Sequence, residues 1–235
     1  MGNRWSIWID IEGFSNRYNN NSCQTILFLN ELMASLYRIG VNVFSESPDR
    51  LFIHQFGDGF IVVSDFPERE PTRPIAICIA IMRHLIKKGV ATKAAIAAGD
   101  WGDVSSCYPQ EVMKEAEHGR FLRIGKGIMT IIPVMGMALI ATHKLSGTDS
   151  GALFLIDTSC FSGIPNEIIH KSGTASTIDW VHSELPDVKS ICNKASLENI
   201  KSKEAEELIG SYINENYDAL PKNWIERTKA TLSLA

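Results

Sequence analysis

The sequence predicts an α+β protein whose core elements follow the order βαββαβ. Three observations predict this class: short runs of strand-forming apolar residues, two stretches with helical apolar spacing between them, and an Asp-Gly turn joining two of the runs. The chain has 235 residues and 45% hydrophobic side chains, enough for one large folded unit. We therefore expect one large domain, or a domain with an appendage.

The first unit is a strand followed by a helix. Residues 4–11 form an apolar run that ends in a polar turn. Apolar residues then recur at helical spacing over residues 22–39, and Gly40 is expected to end that helix. This βα unit opens the core.

The second half of the core begins with a hairpin. Residues 50–56 and 60–65 are β-rich runs separated by the Gly-Asp-Gly turn at 57–59. A helix is predicted at residues 75–88 and a strand of small residues at 90–98. Together these elements give the split βαβ order of a ferredoxin-like fold, an antiparallel sheet with helices on one face.

Further strands and helices follow the core. Helical spacing predicts helices at residues 135–145, 197–215 and 224–232, and β-rich runs predict strands at 152–156 and 177–182. The last helices are more charged, so we expect them to pack outside the sheet. We place the main domain at residues 1–190 and a C-terminal helical extension, packed on it, at 191–235.

Composition and charge exclude several classes of partner. A net charge of −4 provides no basic field for nucleic acid or an anionic membrane. The apolar stretch at residues 125–141 is interrupted by Lys126, Thr130 and Pro133, so no membrane span is predicted. The five cysteines are scattered without CxxC spacing, which favours reduced thiols and a cytoplasmic location.

Two aspartates stand at strand ends that the predicted topology brings together. Asp10 lies near the end of the first strand, and Asp58 lies in the hairpin turn. A lone Asp at such a place most often caps a turn, but two close carboxylates repel each other. Their usual stabilising partner is a divalent cation, Mg²⁺ or Mn²⁺. The pair therefore predicts a metal site.

The turn after Asp10 has the character of a phosphate-binding loop. It contains Gly13, Phe14 and Ser15, whose backbone N–H groups are available, and the glycine permits close approach of a ligand. We expect this loop to bind a triphosphate whose oxygens complete the metal shell.

At these residues the chain resembles the class III nucleotidyl cyclase catalytic domain. DIEGFS at residues 10–15 and HQFGDGFIVV at 54–63 resemble the two metal-aspartate motifs of that family. TKAAIAAGDWGD at 92–103 and GMALIATHKLSG at 136–147 are similar, more weakly, to a later strand and helix. The resemblance covers roughly residues 5–180 and implies that the main domain is catalytic, with a class III cyclase-like fold.

The resemblance implies a phosphorus–oxygen lyase. Such an enzyme joins the ribose 3'-hydroxyl of a nucleoside triphosphate to its α-phosphate and releases pyrophosphate. Two Mg²⁺ or Mn²⁺ ions per site are expected at Asp10 and Asp58, with help from the Ile11 carbonyl, and they promote in-line displacement. The family also implies a homodimer whose active sites are shared between the two chains.

The base-reading and charge-stabilising positions depart from the family pattern. His54 replaces the base-reading Lys or Glu of purine cyclases, and Pro133 aligns with a base-reading Asp or Thr. The Asn and Arg that stabilise the transition state align with Ile140 and Lys144. Lys144 is the expected substitute, as a point charge in place of a planar fork.

Other residues are candidates for the missing contacts. Lys171 falls near the family's triphosphate-binding lysine, and the basic residues that precede the helix of Lys144 are Arg120, Arg123 and Lys126. Singly, each is more often a solvated surface charge. For the base we expect Phe56 to fill the space of a purine, leaving His54 to bind a pyrimidine edge. A half-buried, hydrogen-bonded histidine is the alternative for His54.

Loss of the purine-reading pair makes the chain similar to the pyrimidine cyclases of the Pycsar anti-phage system. That likeness implies UTP or CTP as substrate, cyclic UMP or cyclic CMP as product, and a separate effector, with a uridylate cyclase favoured. Two alternatives stay open. One is an adenylate or guanylate cyclase with an atypical base pocket; the other is a non-catalytic cyclase-like nucleotide-binding module, against which the retained aspartates argue.

Overall fold

The computed structural model describes residues 2–115, 121–164, 166–172 and 175–232. Within these ranges the strands are β1 (Gly2–Ile11), β2 (Leu51–Phe56), β3 (Gly59–Ser64), β4 (Thr92–Asp103), β5 (Phe121–Ile124), β6 (Gly127–Thr130), β7 (Val134–Met135), β8 (Phe154–Ile156), β9 (Ile169–Ser172) and β10 (Ala175–Ile178). The helices are α1 (Phe14–Asn20), α2 (Ser22–Asn42), α3 (Thr72–Lys87), α4 (Gln110–Glu115), α5 (Met137–Ser146), α6 (Pro186–Ala195), α7 (Ser202–Glu215) and α8 (Lys222–Thr231).

The main sheet has the strand order β2-β3-β1-β4-β8-β10-β9, with β7 beside the end of β4. Strand β1 lies between β3 and β4 and is antiparallel to both, which is the arrangement of the split βαβ core. The predicted α+β class with a βαββαβ core is therefore confirmed. Strand β8 extends the sheet parallel to β4, and β5 and β6 form a separate hairpin.

Alternate side chains of β1 enter two apolar layers. Ile7 and Ile9 belong to the larger core, which α2 and α3 cover. Trp8 belongs to a smaller cluster on the other face of the sheet, which includes Ala138 of α5. Helices therefore cover both faces, whereas the sequence placed them on one.

Several elements differ in extent from the prediction. Helix α2 continues two residues past Gly40, because that glycine keeps a helical backbone and does not adopt the left-handed conformation that ends many helices. Strand β4 continues past Gly99 because β1 pairs with it as far as Trp101. Helices α1, α4 and α6, strands β7 and β9 and the strands of the β5–β6 hairpin were not predicted, and all of these except α6 are shorter than eight residues.

Helix α5 packs unusually close to the sheet. A Cβ at Gly99 would lie 2.5 Å from the backbone nitrogen of Ala138, so only glycine allows this approach. Ser6 Oγ donates to the Ala138 carbonyl at 2.7 Å, and Asp100 Oδ1 accepts from the Met137 amide at 2.7 Å, capping the helix. These contacts fix the helix over β1.

The C-terminal helices share the larger core. Ile209 of α7 and Trp224 of α8 are buried in it, and Thr228 of α8 accepts a hydrogen bond from the Ala152 amide at 3.0 Å. Helix α6 runs across residue 190, and the division of the chain there stays a prediction. In the described part of the chain, no helix combines the length and hydropathy that crossing a bilayer requires.

The close approach of α5 predicts a specific effect of adding one methyl group. Gly99→Ala should lower the free energy of unfolding by about 1–3 kcal/mol, because the new Cβ meets helix backbone that cannot turn aside. Gly210→Ala is the matched control: no atom lies within 4 Å of its added Cβ, and in a helix the change should raise stability by up to ~1 kcal/mol. Urea unfolding measures both, and equal effects would contradict the packing argument.

Candidate active site

The two predicted metal aspartates lie side by side. Asp10 pairs with Gly59 across the β1–β3 ladder, and Asp58 precedes that glycine in the hairpin turn. Burial raises the pKa of Asp10 to about 6, against the Trp8 hydrogen bond and the Lys93 charge, which lower it. The negative charge of Asp58 is among the influences that raise this pKa, so the two carboxylates are within electrostatic reach.

The surroundings of Asp10 fit a bound cation. Its Oδ2 accepts a hydrogen bond from Trp8 Nε1 at 2.9 Å, whereas its Oδ1 is buried and has no hydrogen-bond partner among the described residues. A buried oxygen that carries charge and lacks a donor is a natural metal ligand. The described ranges contain no cluster of three or more His, Cys, Asp or Glu side chains suited to a metal. Any ion here would therefore need backbone or substrate oxygens as well.

Trp8, which sequence reasoning did not select, orients the Asp10 carboxylate. Its indole lies against Gly59, where a Cβ would be 2.4 Å from the ring, so glycine is required there. The ring also contacts His143 edge-on, with centroids 4.8 Å apart, and Phe56, with centroids 6.5 Å apart. The available signal was its spacing: residues two apart in a strand share one face.

A groove of about 420 Å³ runs beside Trp8 on the α5 face of the sheet. Phe56 and Lys144, both predicted site residues, line it together, as do Ile140 and His143. The walls are mostly apolar, and the polar groups come from α5. Such a groove has the size and lining of a small-molecule site.

His54 lies one pleat away from Phe56 on the same face of β2. It pairs with Ile61 across the hairpin and is half-buried. Phe56 is among the residues that line the groove, and His54 is not among those described there. The structure thus brings His54 near the predicted base site without placing it in the groove wall.

The predicted triphosphate loop turns directly from β1 into α1. Ile11 is buried at the end of the strand, and Gly13 has a left-handed backbone with φ of 69°. Phe14 packs against the larger core and stacks on Tyr18 with centroids 5.9 Å apart, so its side chain is structural. Ser15 is exposed, and the first helical turn leaves backbone N–H groups without helical partners.

The sequence reasoning missed Lys93, a basic residue near Asp10. Lys93 stands opposite Asp10 in β4, and its ammonium lies 3.2 Å from Glu12 Oε1. Trp224 of α8 donates to the other oxygen of Glu12. The signal for Lys93 was present in the sequence, because it is the one charged residue in the strand predicted at 90–98.

The remaining predicted cations lie elsewhere. Lys171 is in β9, at the edge of the sheet, and β4, β8 and β10 separate it from β1. At ordinary strand spacing that is roughly 19 Å. Arg123 and Lys126 belong to the separate β5–β6 hairpin, and Arg120 lies outside the described residues. Within one chain, Lys93 and Lys144 are the basic candidates that the structure places near the carboxylates and the groove.

Comparison with known proteins gives distant structural neighbours. No family model matches the chain, and no curated protein matches it. The solved guanylyl cyclase Cya2 is similar at a TM-score of 0.47 and 11% identity, over 76% of this chain and 94% of that one. A bacterial light-regulated adenylyl cyclase has the same TM-score and identity, over 83% of this chain and 55% of that one. Similarity at this level carries no argument about activity, which rests on the site residues.

The raised pKa of Asp10 predicts that the ionised carboxylate destabilises the metal-free protein. Because the folded-state pKa exceeds the usual 3.8, stability is lost as pH rises through about 6 and the carboxyl ionises. Without metal at about pH 8, Asp10→Asn should therefore raise the free energy of unfolding, by at most about 3 kcal/mol. The gain should vanish below about pH 4. Urea unfolding at both pH values measures it; a destabilised variant at the higher pH would contradict the assignment.

Proposed function

We propose that the protein is a class III nucleotidyl cyclase that converts a pyrimidine nucleoside triphosphate, UTP or CTP, to its 3',5'-cyclic monophosphate. The observation that carries the proposal is the buried Oδ1 of Asp10, which lies near the charge of Asp58 and accepts no hydrogen bond from any residue that the structure describes. Trp8 links this pair to the groove, since it donates to Asp10 and lines the groove wall. Acidic ligands and a site for a ring are what a metal-dependent nucleotide reaction needs.

Asp10, Asp58 and the carbonyl of Ile11 are the residues that would hold two divalent ions, Mg²⁺ or Mn²⁺. When bound, such ions supply Lewis-acid stabilisation of the reacting hydroxyl and the phosphate charge. In the reaction, a bond forms between the ribose 3'-oxygen and the α-phosphorus. The bond from that phosphorus to the bridging oxygen breaks, pyrophosphate leaves with the electron pair, and the hydroxyl proton passes to water.

The chain's own residues have distinct roles in this proposal. The Trp8 N–H fixes the orientation of the Asp10 carboxylate. The backbone of Gly13, Phe14 and Ser15 binds phosphate oxygens at the start of α1. Lys144, exposed at the groove, provides positive charge toward the developing phosphorane. Rate enhancement then comes mainly from positioning and charge, as in other phosphoryl transfers.

Base selection depends on the width of the groove. Phe56 and Trp8 both line the groove, with ring centroids 6.5 Å apart, and in this proposal they fill the space that a second fused ring would need. A pyrimidine has one ring and a short polar edge, for which His54 is the nearest predicted reader. The polar contact should dominate selectivity, because an unmatched hydrogen-bonding group is penalised more than a loose apolar fit.

A homodimer with shared sites accounts for two features of the single chain. Four strand spacings separate the strand of Lys171 from that of Asp10, so in this proposal Lys171 serves the site of a second copy. Met135 and Ile140, at the groove, are 60% and 43% exposed, and a second copy would cover them. A cyclic pyrimidine product would act through a separate effector, in a defence response against phage.

Removing either carboxylate should abolish cyclisation. Asp10→Ala or Asp58→Ala deletes a metal ligand, and turnover with Mn²⁺ should fall by more than ~100-fold while the fold is kept. Asp218→Ala is the control, because it removes an exposed acid of the C-terminal region. Chromatographic identification of products from all four nucleoside triphosphates measures turnover. Near-normal product from either aspartate variant would refute the metal assignment.

Changing His54 tests base choice separately from metal chemistry. His54→Ala should reduce the preference for pyrimidines by about tenfold, through loss of a polar contact, and should leave the Mn²⁺ dependence unchanged. The ratio of turnover on UTP, CTP, ATP and GTP is compared between wild type and variant. Equal wild-type turnover of ATP and UTP would reject the pyrimidine substrate. An unchanged ratio in the variant would remove His54 from the base site.

A further inference from the structure

Helix α8 forms a hydrogen bond with Glu12, in the turn that follows Asp10. Trp224 is 3% exposed, and its Nε1 donates to Glu12 Oε2. The other oxygen of Glu12 pairs with Lys93 at 3.2 Å, and the Glu12 amide donates to the Ala91 carbonyl at 3.1 Å. Both carboxylate oxygens and the backbone N–H of Glu12 therefore have partners.

A second residue of α8 anchors another hydrogen-bond partner of Lys93, Asp149. Arg227 forms a two-pronged ion pair with Asp149, its Nε lying 3.0 Å from Oδ1, and the hydrogen bond from Arg227 keeps the pKa of Asp149 low. The backbone carbonyl of Asp149 accepts from Lys93 Nζ at 3.3 Å. The ammonium thus lies between two acceptors, each of them anchored to α8.

Lys93 stands opposite Asp10 in the ladder between β1 and β4. We infer that Trp224 and Arg227 are positioning residues that hold Glu12 away from the metal aspartates and keep the Lys93 ammonium beside Asp10. Without the Trp224 N–H, Glu12 could turn and offer a third carboxylate to the cation or draw Lys93 away. The last helix thereby sets the charge arrangement around Asp10.

The variants separate this role from plain core packing. Trp224→Phe keeps a large ring against Tyr212, whose centroid is 6.1 Å away, and removes only the N–H donor. Arg227→Gln removes the charge that holds Asp149. Glu226→Ala is the matched control, since this exposed residue lies between the other two on the same helix. Glu12→Gln in the Trp224→Phe background tests whether the freed carboxylate causes the effect.

The first measurement is amide hydrogen exchange in the metal-free full chain, which does not depend on any activity. Residues 11–17 should exchange about tenfold faster in Trp224→Phe and in Arg227→Gln, because a hydrogen bond to a charged group is lost, and the control should match wild type. Exchange elsewhere in the sheet should stay unchanged. Equal exchange of residues 11–17 in all variants, or faster exchange spread over the whole sheet, would overturn the inference.

The second measurement rests on the proposed function. The Mn²⁺ concentration for half-maximal turnover should change about tenfold in both variants, with a smaller change in kcat, and Glu12→Gln should partly restore it in Trp224→Phe. An inactive wild-type protein would refute the proposed function, and local exchange would then decide the inference alone. An active wild type with unchanged Mn²⁺ dependence and unchanged local exchange in both variants would overturn it.

Discussion

The carboxylate of Asp10, partly buried near the end of the interior strand β1, is the constraint on which the rest of the site depends. A charge in such a place is costly unless neighbours compensate it, and here burial raises its pKa to about 6. One oxygen has the Trp8 donor and the other has none among the described residues. The surrounding elements are arranged around this incomplete compensation.

Three elements, α5, β4 and α8, position side chains around the Asp10 carboxylate. Helix α5 covers one face of β1 and is held close by Gly99 and by the Asp100 cap, so that Lys144 reaches the groove. Strand β4 places Lys93 opposite the acid. Helix α8 anchors the residues that hold Lys93. Each of these elements is held by ordinary contacts, and where they meet, burial raises the pKa of Asp10.

Sequence reasoning predicted what depends on short spacing. The βαββαβ order and the adjacency of Asp10 and Asp58 follow from strand runs, the Asp-Gly turn and the topology rule for this order. Trp8 and Lys93 were visible in the sequence, yet their importance depends on which strands pair. Trp224 was beyond its reach, because the partner of its N–H lies 212 residues away. The role of Lys171 stays a prediction: within one chain the sheet places it at the far edge from β1, and the expected shared site would need the lysine of a second copy.

The hydrogen bond between Trp224 and Glu12 also has a consequence during synthesis, because its two partners are 212 residues apart. Strand β1 is made before β3 and β4. The hydrogen bond to Glu12, in the turn after β1, can form only after residue 224 has left the ribosome, long after β3 and β4 are available for pairing. Contacts between residues so distant along the chain form late in folding, because the entropic cost of closing the loop between them precedes the stability that they add. A nascent chain can therefore have these strands paired before the turn after Asp10 gains its hydrogen bond from Trp224.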